Sequence, residues 1–135
     1  MSDYEMIMVF NETFDFLITS FGTFLSMVFA FLVASSLLAE KLNRLLAGIV
    51  VALFTGASMF FTLMSYNVGA NLGSLAEQIK MAVADGRSEL GWVGFVANNA
   101  PIGVGLRALA LLMLLGYIAS LIFFFHQRRL VASIR

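Results

Sequence analysis

The sequence contains no cysteine, a single histidine and a single proline. Without cysteine there is no disulfide, no thiolate nucleophile, no iron–sulfur ligation and no cysteine zinc site. One histidine, His126, cannot by itself supply a bis-histidine haem or a histidine-rich metal site, so neither metal nor cofactor is expected. Charge is also scarce. Asp, Glu, Lys and Arg make up 12% of the residues, about half of what a soluble domain carries. The formal net charge is zero, so no basic excess exists to draw a nucleic-acid backbone.

What remains is apolar. Of the 135 residues, 61% are hydrophobic, and the mean hydropathy is +0.95. The few charges fall in clusters separated by long gaps. Asp15 and Glu40 enclose 24 uncharged residues, Arg44 and Glu77 enclose 32, and Arg107 and His126 enclose 18. A spanning helix needs about 20 apolar residues, at about 1.5 Å each, to cross about 30 Å of hydrocarbon. The runs are continuous rather than alternating, which argues against a β-barrel. The expected fold is therefore all-α and integral to a membrane, a single domain over 1–135. Its spans lie near 14–39, 44–66 and 102–126.

The N-terminal segment is acidic where a signal peptide carries positive charge, so the first span reads as a retained anchor. Lys41, Arg44, Arg128, Arg129 and Arg135 flank one side of the three spans, with only Glu40 against them. The other side holds seven acids and only Lys80, Arg87 and Arg107. The excess of Lys and Arg around the short turn and the tail assigns that side to the cytoplasm. The expectation is N-outside and C-inside, in a bacterial inner membrane. The short turn 40–44 forces spans one and two into an antiparallel hairpin.

Beyond Tyr66, residues Val68, Leu72, Leu75, Ile79 and Ala82 recur at spacings of four and three, with Asn67, Asn71, Ser74, Gln78 and Lys80 between them. That pattern predicts an amphipathic, extramembrane continuation of helix two to about 84, with Gly69 and Gly73 as possible kink points and Asp85-Gly86 as its end. Residues 88–100 read as an interfacial segment anchored by Trp92, the only tryptophan. They would cap a pore or pack over the bundle. Asn98 or Asn99 before Pro101 marks the start of helix three.

Two kinds of packing face stand out. Small residues recur every fourth position at Gly22, Ser26, Ala30 and Ala34 in span one and at Gly48, Ala52 and Gly56 in span two; Gly116 and Ser120 do so in span three. In lipid, small residues permit close helix–helix contact, and the simplest reading packs the first two ladders on each other inside the hairpin. Span one also carries a bulky stripe that includes Phe10, Phe14, Leu17, Phe21, Phe24, Val28 and Phe31. By the same reading this stripe is left over, to be covered by lipid, another copy or a partner subunit.

No acid or base lies deep in any span, which argues against proton relays and ion-coupled transport. Arg107, about two turns into helix three, reads as an interface anchor, as do Trp92, Lys41, Arg44, Arg128 and Arg129. Thr55, Ser58, Thr62 and Ser65 follow three-four-three spacing on one stripe of span two. They could line a narrow aqueous path, or satisfy carbonyls within the bundle. The three spans, outside N-terminus and short basic inner tail resemble class I phage holins in topology. That resemblance implies a homo-oligomeric pore; the long extension of span two departs from it. The expected function is a non-catalytic membrane subunit acting by helix–helix association, as an accessory or structural component of a larger complex or as a homo-oligomer. The alternative is a homo-oligomeric channel lined by the hydroxyl stripe. Neither reading makes the chain an enzyme, and its expected surroundings are the lipid bilayer and other membrane helices.

Overall fold

The structure, a computed structural model, describes residues 2–38, 41–86 and 102–134. Among the described residues every regular element is an α-helix: α1 (Asp3–Leu38), α2 (Arg44–Ala84) and α3 (Ile102–Ile134). All three are long and apolar enough to cross a membrane, the architecture of an integral membrane protein. At about 1.5 Å per residue they run on the order of 50–60 Å each, longer than a hydrocarbon core of about 30 Å. Trp92, the interfacial segment 88–100 and the Asn98/Asn99–Pro101 start signal lie outside the described residues.

The helix ends follow from local chemistry. At the start of α1, the Ser2 backbone N–H donates to Glu5 Oε2 at 2.7 Å, and the Glu5 N–H donates to Ser2 Oγ at 3.3 Å. This reciprocal pair is a capping box, and it satisfies donors that the first helical turn leaves open. Asp3 and Glu5 in that turn also suit the positive end of the helix dipole. The helix thus starts well before the uncharged run that begins at Phe16. The turn after α1 is closed by Lys41 and Leu42 N–H groups, which both donate to the Leu38 carbonyl. Asn43 then caps α2, its side chain accepting from the Leu46 N–H at 2.8 Å. At the far end of α2, the Asp85 N–H donates to Met81 O and the Gly86 N–H to Val83 O. Gly86 has φ +66°, a left-handed conformation that glycine adopts without Cβ strain and that stops the helix. The helix is continuous through Gly69 and Gly73.

Glu5 lies before the uncharged run of α1. The hydrogen bonds it accepts from Ser2 hold its carboxyl below the ordinary carboxylate range. A lowered folded-state value means that the capping contribution is complete above the unfolded value and is lost as pH falls through the folded one. An NMR titration is expected to show the Glu5 carboxyl protonating at lower pH in the native chain than in Ser2→Pro, which removes both the backbone N–H that Glu5 accepts from and the Ser2 hydroxyl. Coincident curves would refute the capping role.

Each helix packs against both others. The core lies along the common axis and is built from Phe24, Val28 and Phe31 of α1, Ala47 and Phe54 of α2, and Met113 and Phe124 of α3. The rings of Phe31 and Phe54 stack with centroids 3.9 Å apart, Phe124 tilts against Phe31 at 5.6 Å, and Tyr117 stacks on Phe54 at 5.7 Å.

This packing reverses the faces read from the sequence. Of the bulky stripe on α1, which runs on through Ser35 to Leu38, Leu17, Phe24, Val28, Phe31 and Ser35 are buried, Phe10 and Phe21 are half-buried, and Phe14 and Leu38 are exposed. The small ladders turn outward instead. Gly22, Ser26, Ala30, Gly48, Ala52 and Gly56 are exposed, and Ala34 is half-buried. Nothing lies within 4 Å of a Cβ built on Gly22, Gly48 or Gly56. The physical reason is geometric. Small residues suit the close approach of two helices, but three helices around one axis leave a central gap that only large side chains fill. On α3 the small positions do face inward: Ser120 is buried, and a Cβ on Gly116 would stand 3.7 Å from the Phe24 ring.

One glycine is a contact point. Leu106 of α3 occupies the space that a Cβ at Gly69 would need. Gly69→Val is therefore expected to destabilise the bundle by about 1–3 kcal/mol, the range of overpacked cores. Gly73→Val, with nothing within 4 Å, is expected to cost far less, although both changes add a β-branched residue to the same helix. Thermal unfolding in detergent would measure this. Adding Leu106→Ala to Gly69→Val should restore part of the loss, and a failure to do so would refute the contact.

Candidate functional site: the hydroxyl groove between α2 and α3

Most hydroxyls in the helices bond to their own backbone. Thr23 donates to Thr19 O, Ser26 to Gly22 O, Ser35 to Phe31 O, Thr62 to Ser58 O and Ser120 to Gly116 O, at 2.6–3.0 Å. Such back-bonding lets a polar residue sit in an apolar helix without an unsatisfied group.

The stripe on α2 is different. Thr55 pairs across the bundle with the Tyr117 hydroxyl at 2.9 Å. Ser58 and Ser65 are each only 5% exposed, and their hydroxyl oxygens are buried without a hydrogen-bond partner. An unpaired buried hydroxyl costs about 1–3 kcal/mol, so two of them on one stripe mark a place that supplies partners or can accept them.

Both open on the seam between α2 and α3. A cavity of about 320 Å³ is walled by residues that include Thr62, Ser65, Tyr66, Leu106, Arg107 and Met113. A second cavity of about 250 Å³ abuts it at Thr62 and Met113 and reaches Thr55, Ser58, Leu114 and Tyr117. Arg107 is exposed and sits at one end of this seam. Among the described residues no acidic side chain lines either cavity. A third cavity, of about 280 Å³, lies on the other side of Leu106. It is bounded by Phe14, Leu17, Phe21 and Leu72 among others, and is apolar.

The remaining charged candidates lie toward the turn end of the bundle. Lys41, Arg44 and Arg129 are exposed. Arg128 is half-buried; its guanidinium carbon stands 5.9 Å from the Phe124 ring centroid, and its Nη1 is buried without a partner. The sole histidine, His126, is exposed. Among the described residues no group of three or more His, Asp or Glu side chains is placed to hold a metal ion.

Sequence reasoning missed three of these features. The Ser2–Glu5 capping box carried its own signature, a Ser followed three residues later by a Glu. The Thr55–Tyr117 pair joins residues 62 positions apart, and no local pattern announces it. Gly69 was read as a kink rather than as the seat of Leu106, because a glycine in a helix looks the same in either role.

No protein-family model, curated protein or solved structure matches this chain.

Proposed function

We propose that this chain is a non-catalytic integral membrane subunit that acts by helix–helix association, as an accessory or structural component of a membrane complex or as a homo-oligomer. The observation that carries this reading is the outward placement of the small-residue ladders on α1 and α2, with open space at Gly22, Gly48 and Gly56. Lipid tails are as apolar as any side chain, so a surface that associates in a bilayer does so by close backbone approach, and these ladders allow it. The lack of any acid or base deep in the spans supports a role without proton chemistry.

The reading places the membrane as bacterial and inner, with the N-terminus outside and the turn 41–43 and C-terminus inside. Support comes from the split of charge, with Lys41, Arg44, Arg128, Arg129 and Arg135 on one side and most acids on the other. From Arg107 to Arg128 is 21 residues, about 31 Å of helix, close to one hydrocarbon thickness. On that frame the first turns of α1 and the last turns of α2 project beyond the outer boundary. Leu72, Ala76 and Ile79 are buried there, while Asn71, Glu77, Gln78 and Lys80 are exposed, an amphipathic extension.

A homo-oligomeric channel is the second reading, favoured by the unpaired hydroxyls of Ser58 and Ser65. It needs copies arranged so that the α2–α3 seam opens on a common axis. Native mass spectrometry in detergent decides between the two. Association in fixed ratio with another membrane protein, or a dimer or trimer alone, is the expected outcome; a closed ring of many identical chains would favour the channel. A strict monomer at all concentrations and without any co-purifying protein would overturn both.

A further inference from the structure

We infer that the seam between α2 and α3 is a binding site for one phospholipid with an anionic phosphodiester headgroup, the phosphate at Arg107 and an acyl chain along the seam toward Tyr117. Four observations carry this. First, the two cavities abut at Thr62 and Met113, and their rims are exposed at Met59, Tyr66 and Leu114. The seam therefore opens sideways, toward lipid.

Second, its length fits. Arg107 to Tyr117 is ten residues, about 15 Å of helix, or half of a hydrocarbon core of about 30 Å. One acyl chain of one leaflet has that reach. Its walls there are Leu109, Met113 and Leu114, and methionine adapts to an irregular flexible chain.

Third, charge is complementary. Arg107 is the one charged side chain among the described residues lining the two cavities, and it has no ion-pair partner among the described residues. A guanidinium binds a phosphodiester through paired N–H donors. Among the described residues no carboxylate lines the seam to receive the ammonium of a zwitterionic headgroup, which favours a headgroup of net negative charge.

Fourth, Ser65 needs an acceptor. Its hydroxyl is buried, unpaired and in the same cavity as Arg107. It sits four residues from Gly69, which faces Leu106, so it lies about one turn, or about 6 Å, deeper than the arginine level. The ester carbonyls of a glycerolipid hang at that depth beneath the phosphate, and a Ser65 O–H donating to one of them would remove an unsatisfied group. Ser58 lies deeper, beside acyl methylenes, and takes no part in headgroup recognition.

The test is native mass spectrometry of the full chain in detergent. It is titrated with phosphatidylglycerol, with phosphatidylcholine of the same acyl chains, and with glycerol phosphate, a phosphomonoester without tails. Phosphatidylglycerol is expected to remain bound at least about tenfold more tightly than phosphatidylcholine, because both offer Arg107 a phosphodiester but the choline ammonium of the second offsets its charge, and glycerol phosphate is expected not to bind. Arg107→Gln should bring phosphatidylglycerol down to the phosphatidylcholine level, while Arg129→Gln leaves it unchanged. Ala110→Trp, which fills the first cavity from its exposed side, should abolish both adducts, whereas Leu111→Trp, exposed and outside the seam, should not. Arg107→Gln alters an exposed side chain and keeps the proposal testable if Ala110→Trp fails to fold. Equal retention of both lipids, unchanged retention in Arg107→Gln, or tight binding of glycerol phosphate would overturn the assignment. So would a Thr62→Cys disulfide between copies in the presence of saturating lipid, because a second chain would then occupy the seam.

Discussion

Phe31→Ala is expected to destabilise the isolated bundle by about 2 kcal/mol, and Phe29→Ala by almost nothing. The two residues are two positions apart on one helix, with the same side chain. Phe31 is 7% exposed and Phe29 65% exposed. Phe31 touches both other helices through its ring, stacked on Phe54 at 3.9 Å and against Phe124 at 5.6 Å. In a soluble core Phe→Ala costs about 3–5 kcal/mol, part transfer and part cavity. In a bilayer the transfer part largely vanishes, because the unfolded reference is also apolar. The cavity part persists. At about 24 cal/mol per Å³, a void on the order of 100 Å³ gives about 2 kcal/mol, plus the lost ring contacts. Unfolding by denaturing detergent, read by tyrosine or tryptophan fluorescence, measures both variants. Equal losses would mean that the bulky stripe does not face the bundle axis.

Gly56→Leu is expected to weaken association by at least about tenfold, or 1.4 kcal/mol, while leaving the single chain at least as stable as before. The two signs separate because the site is open. Nothing within 4 Å meets a Cβ at Gly56, and the position is exposed, so a larger side chain has open space outside the bundle. Leucine also favours a helix over glycine by up to about 1 kcal/mol. Between helices of different chains the same side chain holds the backbones apart and removes the close contact that small residues provide. Ala108→Leu, also an exposed site, on α3 outside the ladders, is the control for added hydrophobicity. Chemical cross-linking in membranes and analytical ultracentrifugation in detergent give the association; thermal unfolding gives the stability. Loss of stability with association intact would reverse the assignment of this face.

Much of the architecture was legible in the charges. The gaps between Asp15 and Glu40, Arg44 and Glu77, and Arg107 and His126 each mark the apolar stretch of one helix because a charge inside hydrocarbon is costly, but the helices themselves run past them, from Asp3 in α1, to Ala84 in α2 and over Ile102–Ile134 in α3. The turn at Lys41–Asn43 was legible as well: Asn43 is a good cap and the linker is too short for anything but a hairpin. The candidate site was legible only as a stripe. Thr55, Ser58, Thr62 and Ser65 share a face by spacing alone, but that two hydroxyls pair with a carbonyl or with Tyr117 while Ser58 and Ser65 pair with nothing depends on where α3 lies.

The direction in which each helix faces was not legible. In a soluble protein a helix tells its inside from its outside by the contrast of apolar and polar residues. Here lipid is as apolar as the core, so α1 carries two apolar faces, Gly22–Ala34 and Phe10–Phe31, and both have helical spacing. Periodicity finds the faces and cannot rank them. The sequence by itself determined the number of spans, the hairpin, the scarcity of reactive chemistry and the opposed charge of the two ends. Only the tertiary structure decided that large rings fill the axis of three helices and that the small-residue ladders of α1 and α2 are left on the outside. The reason is volume: three cylinders enclose a gap between them, and a ladder made only of glycine, alanine and serine cannot fill it.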